Sequence, residues 1–466
     1  MTLSIQRRGS IFLVLAVCLL VVGICTPFGG HDLQRVMQIA IGFCAVLYGI
    51  SVKPTEPWVD RQTALGLSII VGLGVTSSLL AHQPLWALTE VALFVSCAAI
   101  ALAFASLRRH GGEPLDRALL LIVVLLCLIK TFQYLYAGVL AFASGGPTLN
   151  PDLLLSSFSN KRFYGQFQTL TLPLLALPLL LPTVSRSLRG MAFALLCAWW
   201  LIAISGGTRG TWLGMGVAGM VLALLGPWGR RWLGWQLAAM LGGLWVYWLL
   251  FTVLATYLGI ETSNDASERL TTSLSGRGPI WWQGWQMVAE RPWLGFGPMH
   301  FADIANKVAA HPHQAVLQWA SEWGVLSTLC VAVLAGRSGW ATVAVLRERA
   351  RSSERADLLR LCLFAALVGA LTQSMVDGVL VMPNSQVWLA LVVGWLMALH
   401  RWRTPATATW PLAWTVWKVL SVLAIALLVH VALRDVPHIK QAQRQYLDAT
   451  GSYLQPRFWA QGVIAR

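Results

Sequence analysis

The sequence predicts an all-α polytopic membrane protein of twelve or thirteen transmembrane helices with one long outer loop carrying amphipathic helices. Three observations predict it. Of 466 residues, 57% are hydrophobic and 11% charged, against about 25% charged in soluble domains. Apolar runs of about 18 residues or more recur between short polar breaks, the length a helix needs to cross a bilayer while satisfying its own backbone. Basic residues fall in alternate breaks, which orients the chain with its amino terminus cytoplasmic. A β-barrel would alternate apolar and polar residues, and these runs do not.

The first run, 11–28, follows Arg7 and Arg8 and lacks a small-x-small cleavage site before Pro27, so it reads as a retained span and not a signal peptide. Runs 33–52 and 63–80 flank Lys53 and Arg61, and runs 85–107 and 117–143 flank Arg108, Arg109 and Arg117. Runs 166–182 and 190–206 flank Arg186 and Arg189, and runs 210–226 and 232–258 flank Arg230 and Arg231. After the outer loop come 313–336 and 357–380 around the cluster Arg337 to Arg360, then 385–400 and 411–433 around Arg401 and Arg403. The chain thus divides into helices 1–258, an outer loop 259–312, helices 313–433 and a weakly basic tail 434–466, outside if all thirteen runs cross. There is no internal repeat and no low-complexity linker, so the whole is one membrane domain.

A net charge of +15 invites a nucleic-acid reading, but most of the basic residues sit in the short links and serve orientation. No nucleic-acid partner is expected; the surroundings are membrane lipid. The eight cysteines lie in or at the ends of apolar runs without a CxxC pair, as small buried hydrophobes. The opposite face carries exceptions to the charge rule: Lys161, Arg162, Arg209, Arg269, Arg277, Arg291 and Lys307. Single cations there can snorkel to headgroups. Three separate links contributing them point to an anionic ligand.

Four stretches can carry chemistry. Ser205-Gly206-Gly207-Thr208-Arg209-Gly210-Thr211 interrupts two apolar runs, and the following helix start with a guanidinium beside it suits a phosphate; a plain hairpin turn is the alternative. Ser275-Gly276-Arg277-Gly278-Pro279 opens an amphipathic helix, with Trp281, Trp285 and Val288 on a membrane-facing side and Gln283, Gln286 and Glu290 on the other. His311-Pro312-His313-Gln314 leads into a helix whose Gln314, Gln318, Ser321 and Glu322 share a side expected to face a wet cavity or another protein element. A histidine there suits a general base or a clamp; the two could also bind metal with Asp303, or cap the helix. Ser159 to Gln166 adds Lys161 and Arg162, and Asp377, with Gln373 four residues earlier, could orient a basic partner.

This ordered set resembles the bacterial O-antigen ligase family, grouped with polysaccharide polymerases and O-linked oligosaccharyltransferases. The residues that carry the resemblance are the Ser-Gly-Gly-Thr-Arg-Gly turn at 205–210, Gly276-Arg277-Gly278, Arg291-Pro292-Trp293-Leu294-Gly295-Phe296-Gly297, and His313-Gln314 followed after nine residues by Gly324-Val325-Leu326-Ser327-Thr328. The last departs from the family's Gly-x-x-Gly-Thr pattern at Ser327, which bears on a close helix contact. The resemblance implies a C-type glycosyltransferase-like fold in the bacterial inner membrane. It also implies transfer of polysaccharide from undecaprenyl diphosphate to a lipid A-core sugar hydroxyl on the periplasmic side, inverting, with no metal and no cofactor. On that reading His313, Arg277 and Arg209 are catalytic, His313 as base and the arginines on the diphosphate. Lys161, Arg162 and Arg291 are further diphosphate contacts, and His311, Gln314 and Glu322 support the site.

The nearest rival, a polymerase, tends to carry Arg-x10-Gly in two outer loops, and none of Arg209, Arg269, Arg277 or Arg291 has glycine eleven residues on. A protein oligosaccharyltransferase usually has a longer outer carboxy-terminal region than the 33 residues after Leu433. A transporter of the same lipid would line a path with cations, whereas Lys130 is almost the only charge expected well inside a span.

Overall fold

A computed structural model gives the fold; it describes residues 2–27, 30–52, 59–262, 276–400 and 411–465. Lys53, Arg269, Ser275, Arg401 and Arg403 lie outside the described residues. The fold is all-α and polytopic. In order the helices are α1 (Thr2–Cys25), α2 (Gly30–Ser51), α3 (Arg61–Leu79), α4 (Pro84–Ala143), α5 (Lys161–Leu175), α6 (Arg186–Ser205), α7 (Arg209–Ala223) and α8 (Pro227–Trp248). Then follow α9 (Arg277–Glu290), α10 (Ala315–Glu348), α11 (Arg355–Ser374), α12 (Pro383–Leu399), α13 (Pro411–Asp435) and α14 (Ile439–Thr450).

All thirteen apolar runs are helical, and among the described residues nine helices are long and apolar enough to cross a membrane. One of the nine is α4, which carries two runs because Gly112 breaks it at φ +60°, ψ −151°, a backbone conformation that glycine adopts without steric cost. Helices α5, α7 and α12 are shorter than a full crossing and are packed inside the assembly, against α11, α4 and one another. The approach of α7 to α11 is backbone on backbone, since a Cβ at Gly214 would lie 2.6 Å from the Gly369 carbonyl oxygen. Small residues permit such contacts where lipid supplies no hydrophobic force between helices.

The outer loops are ordered by local pairing. Thr148–Leu149 lies parallel to Glu261–Thr262 in a two-stranded sheet. The segment Pro292–Gly297 wedges into α10, whose helical course breaks at Gly324 (φ +80°). There the Val325 amide donates to the Pro292 carbonyl at 2.8 Å, and the Phe296 and Gly297 amides donate to the Ser321 and Glu322 carbonyls at 3.0 Å each. A Cβ at 324 would sit 2.1 Å from the Trp293 carbonyl oxygen, so glycine is required at this break. Ser327, the departure from the family pattern, is buried and its hydroxyl accepts a 2.9 Å bond from the Trp319 indole.

Helix α9 forms where expected but in a different rotation. Ile280, Gly284 and Met287 face the protein, and Trp281 tucks inward to donate its indole N–H to the Pro312 carbonyl at 3.0 Å. Trp282 and Trp285 are the exposed aromatics, joined by Trp293. Apolar residues occur around most of this helix, so spacing alone could not fix its phase.

The tail is more integral than its composition suggests. Beyond α14 the chain folds back, burying Arg457 and Phe458 against α2, α4 and α10. It meets buried charge within the helical runs: Arg35 and Glu322 are fully enclosed, and Glu90 lines the same pocket of ion pairs. Lys130 is therefore not nearly alone among the charges inside the helices.

Candidate functional site

Four helices begin close together at one end of the bundle, and each brings a basic residue at or just before its first turn. Asn160 caps α5, its side-chain oxygen accepting from the Arg162 amide at 2.9 Å. The turn at Gly206 and Gly207 delivers Arg209 as the first residue of α7, and Gly276 (φ +74°) delivers Arg277 as the first of α9. Gln314 caps α10, its side chain accepting from the Leu317 amide, with His313 immediately before it. The positive ends of helices favour anions, and half-buried guanidiniums add charge and fork geometry.

The cations sense one another. Arg277 is held below the usual arginine range first by burial and then by Arg162 and Arg209, with Asp377 acting the other way. Its Nε is buried with no hydrogen-bond partner in the protein.

Opposite this cluster stands a histidine pair. The His313 backbone has φ +53°, in the left-handed region, uncommon for a residue other than glycine and a recurrent mark of functional positions. Its amide donates to His311 Nδ1 at 3.3 Å, and the two rings meet edge to face with centroids 4.1 Å apart. His313 Nδ1 lies 3.7 Å from Asp377 Oδ1, an electrostatic contact longer than a hydrogen bond. Burial lowers the His313 pKa from the usual imidazole value, Asp377 raises it, and Arg162 and Arg277 lower it further. His311 is pushed well down by burial and by His313. Both rings are thus held toward the neutral form.

Asp377 is itself positioned. Its Oδ1 accepts from the Gly378 amide at 2.8 Å, and its Oδ2 from Gln373 Nε2 at 3.3 Å. Gln373 in turn accepts from the Thr169 hydroxyl of α5 at 2.6 Å, and a Cβ at Gly210 would lie 3.1 Å from the Gln373 side chain. Helices α5, α7 and α11 therefore converge on the carboxylate that faces His313.

Of the residues singled out in the sequence, Arg162, Arg209, Arg277, His311 and His313 come together, with Gln314 as the cap that sets the loop. Lys161 bonds to Asp152, a buried partner that no local pattern signals. Arg291 is exposed at the far end of α9, about 20 Å along the axis from Arg277, and its guanidinium lies 4.7 Å over the Phe296 ring. Glu322 faces another protein element, one of the two environments expected for it: fully buried, it accepts from Arg457 at 2.6 Å and from the Phe301 amide at 3.0 Å. Asp303 is engaged by His82 at 2.9 Å and by Gln83 at 2.8 Å, away from a metal site shared with the histidines. Among the described residues no three His, Cys, Asp or Glu side chains gather as metal ligands. Sequence reading missed Thr169 and Arg457, whose roles depend on partners distant in the chain.

Residues 192–332 match the family model described as O-antigen ligase. That range contains Arg209, Arg277 and His313 and leaves out Arg162 and Asp377. No curated protein matches the chain.

Proposed function

We propose, from the match of residues 192–332 to the O-antigen ligase family model and from the site's geometry, that the chain is a ligase transferring polysaccharide from undecaprenyl diphosphate to a sugar hydroxyl of lipid A-core, at the periplasmic face of a bacterial inner membrane. The observation that carries the reading is the His313–Asp377 contact set against Arg162, Arg209 and Arg277. An imidazole held neutral, a carboxylate behind it and converging guanidiniums suit proton removal on one side and diphosphate departure on the other.

In this scheme the three arginines bind the donor diphosphate, Arg209 and Arg277 foremost. The acceptor hydroxyl reaches His313 Nε2. As its oxygen attacks the anomeric carbon, the proton passes to Nε2 and the bond from that carbon to the phosphate oxygen breaks, its electron pair leaving with undecaprenyl diphosphate. Charge grows on the leaving phosphate and on the imidazole together, so Arg277 and Asp377 act more strongly in the transition state than in the ground state. A single displacement inverts the anomeric carbon, and the scheme routes no step through a metal.

The test uses purified protein in proteoliposomes with lipid-linked glycan and lipid A-core. Glycan joined to the core with inverted configuration, without an energy source and in the presence of a chelator, supports the reading. Extension of a second lipid-linked chain instead identifies a polymerase. Movement of the lipid across the bilayer with no new bond identifies a transporter and removes the ligase reading.

A further inference from the structure

Residues 453–464 touch the segment that ends at His313 directly and reach the segment that begins at Asp377 through Arg35 of α2. Toward the segment that ends at His313, the Ile464 amide donates to the Ala302 carbonyl at 3.0 Å, and Gln455 Nε2 to the Asn306 carbonyl at 2.9 Å. The Tyr453 hydroxyl bonds the Lys307 and Val308 carbonyls at 3.1 and 2.9 Å. Arg457, fully buried, bonds Glu322 at 2.6 Å and Glu90 at 3.2 Å, and Glu322 holds the Phe301 amide with its other oxygen.

Toward the segment that begins at Asp377, the tail works through α2. Arg35 donates from Nε to the Phe458 carbonyl at 2.9 Å and from Nη2 to the Arg457 carbonyl at 3.0 Å. The same Nη2 donates to the Val381 carbonyl at 2.9 Å, and Nη1 reaches Gln386 at 2.7 Å. Gln386 then bonds the Leu380 carbonyl at 2.7 Å. Asp32 receives the Ala460 amide at 2.6 Å and Gln443 at 2.6 Å, fixing the tail to the same helix. Two buried guanidiniums, Arg35 and Arg457, thus tie one short tail segment to both loops.

We infer that the tail segment 453–464 is a clamp that sets the distance between His313 and Asp377, with Arg457 as a positioning residue for the transfer reaction. The inference rests on the reading of His313 and Asp377 given above. The arginines that would bind the donor begin helices α5, α7 and α9, and the anchors of the tail lie on the two loops and on α2, α4 and α10. Releasing the tail therefore spoils proton transfer while leaving donor binding in place. A displacement of about 1 Å at reacting groups costs on the order of a hundredfold in rate.

The experiment compares the full chain with Arg457→Ala, Arg457→Lys and Gly462→Val. The last keeps every charge but cannot fit the tail, because a Cβ at 462 would sit 2.4 Å from the Arg457 amide nitrogen; it serves if Arg457→Ala fails to accumulate. Two readouts are taken. In transfer assays, Gly462→Val and Arg457→Ala are expected to lower kcat by about a hundredfold while the KM for lipid-linked donor stays within about twofold, with Arg457→Lys recovering part of the rate. In hydrogen exchange, segments 298–313 and 376–382 are expected to exchange faster and helices α5 and α7 to stay unchanged. Unaltered exchange in either segment, or kcat and donor KM changing in proportion, overturns the clamp. If the full chain transfers nothing, the proposed function fails, and hydrogen exchange still decides the clamp.

Discussion

Asp377→Asn keeps the size of the side chain and removes the charge that faces His313. At 3.7 Å, with both side chains largely buried, opposite unit charges attract by about 4 kcal/mol at an effective dielectric of about 20. The polar groups that remain offset part of this, leaving about 3 kcal/mol of lost imidazolium stabilisation, a fall in kcat of roughly two orders of magnitude. The direction of the pH effect follows from the same contact. His313 accepts a proton only when neutral; burial lowers its pKa and Asp377 raises it. Without the carboxylate the pKa falls further, so the acid limb of the kcat profile moves to lower pH while the maximum drops. The assay is transfer from lipid-linked glycan to lipid A-core in proteoliposomes between about pH 5 and pH 8, a range spanning the imidazole titration. A kcat within twofold of the unchanged protein, or an acid limb moving to higher pH, refutes Asp377 as the partner of a histidine base.

His313→Ala is expected to lower transfer by about a thousandfold, as loss of a general base does, with protein in the membrane unchanged by immunoblot. Arg277→Ala should cost about a hundredfold or more in kcat, and Arg277→Lys should recover only part of it because an ammonium lacks the planar fork; intact lipopolysaccharide ladders from a strain carrying Arg277→Ala would remove it from the mechanism. In Gly378→Ala the added Cβ would lie 2.5 Å from His311 Cε1, so the ring supporting His313 must move; activity should fall while the helices keep their far-ultraviolet dichroism. Arg291→Ala, at the far end of α9, should leave donor KM within about twofold, and a large rise would return it to the diphosphate site.

Much of this was legible before any fold was known. Apolar runs report helices directly because lipid leaves the backbone no other partner, and all thirteen appear. Cations on the face opposite the basic links mark Lys161, Arg162, Arg209, Arg269, Arg277, Arg291 and Lys307 alike, and of these Arg162, Arg209 and Arg277 lie within one another's field beside His313. What escaped were pairings made across the chain. Glu322 reads as facing either a cavity or another protein element, and only Arg457, brought to it from 135 residues away, decides between them. The phase of α9 was misread because its tryptophans occupy several sides, so i, i+4 spacing had more than one solution.

The Glu322–Arg457 pair also has a history within each copy of the protein. Synthesis passes Glu322 long before it produces Arg457, and helices α11 to α14 are made in between. Through that interval the carboxylate has only half of its ion pair, and enclosing such a charge costs about 3–5 kcal/mol. The ion pair that encloses Glu322 therefore forms late, after the helices between its two partners have been made.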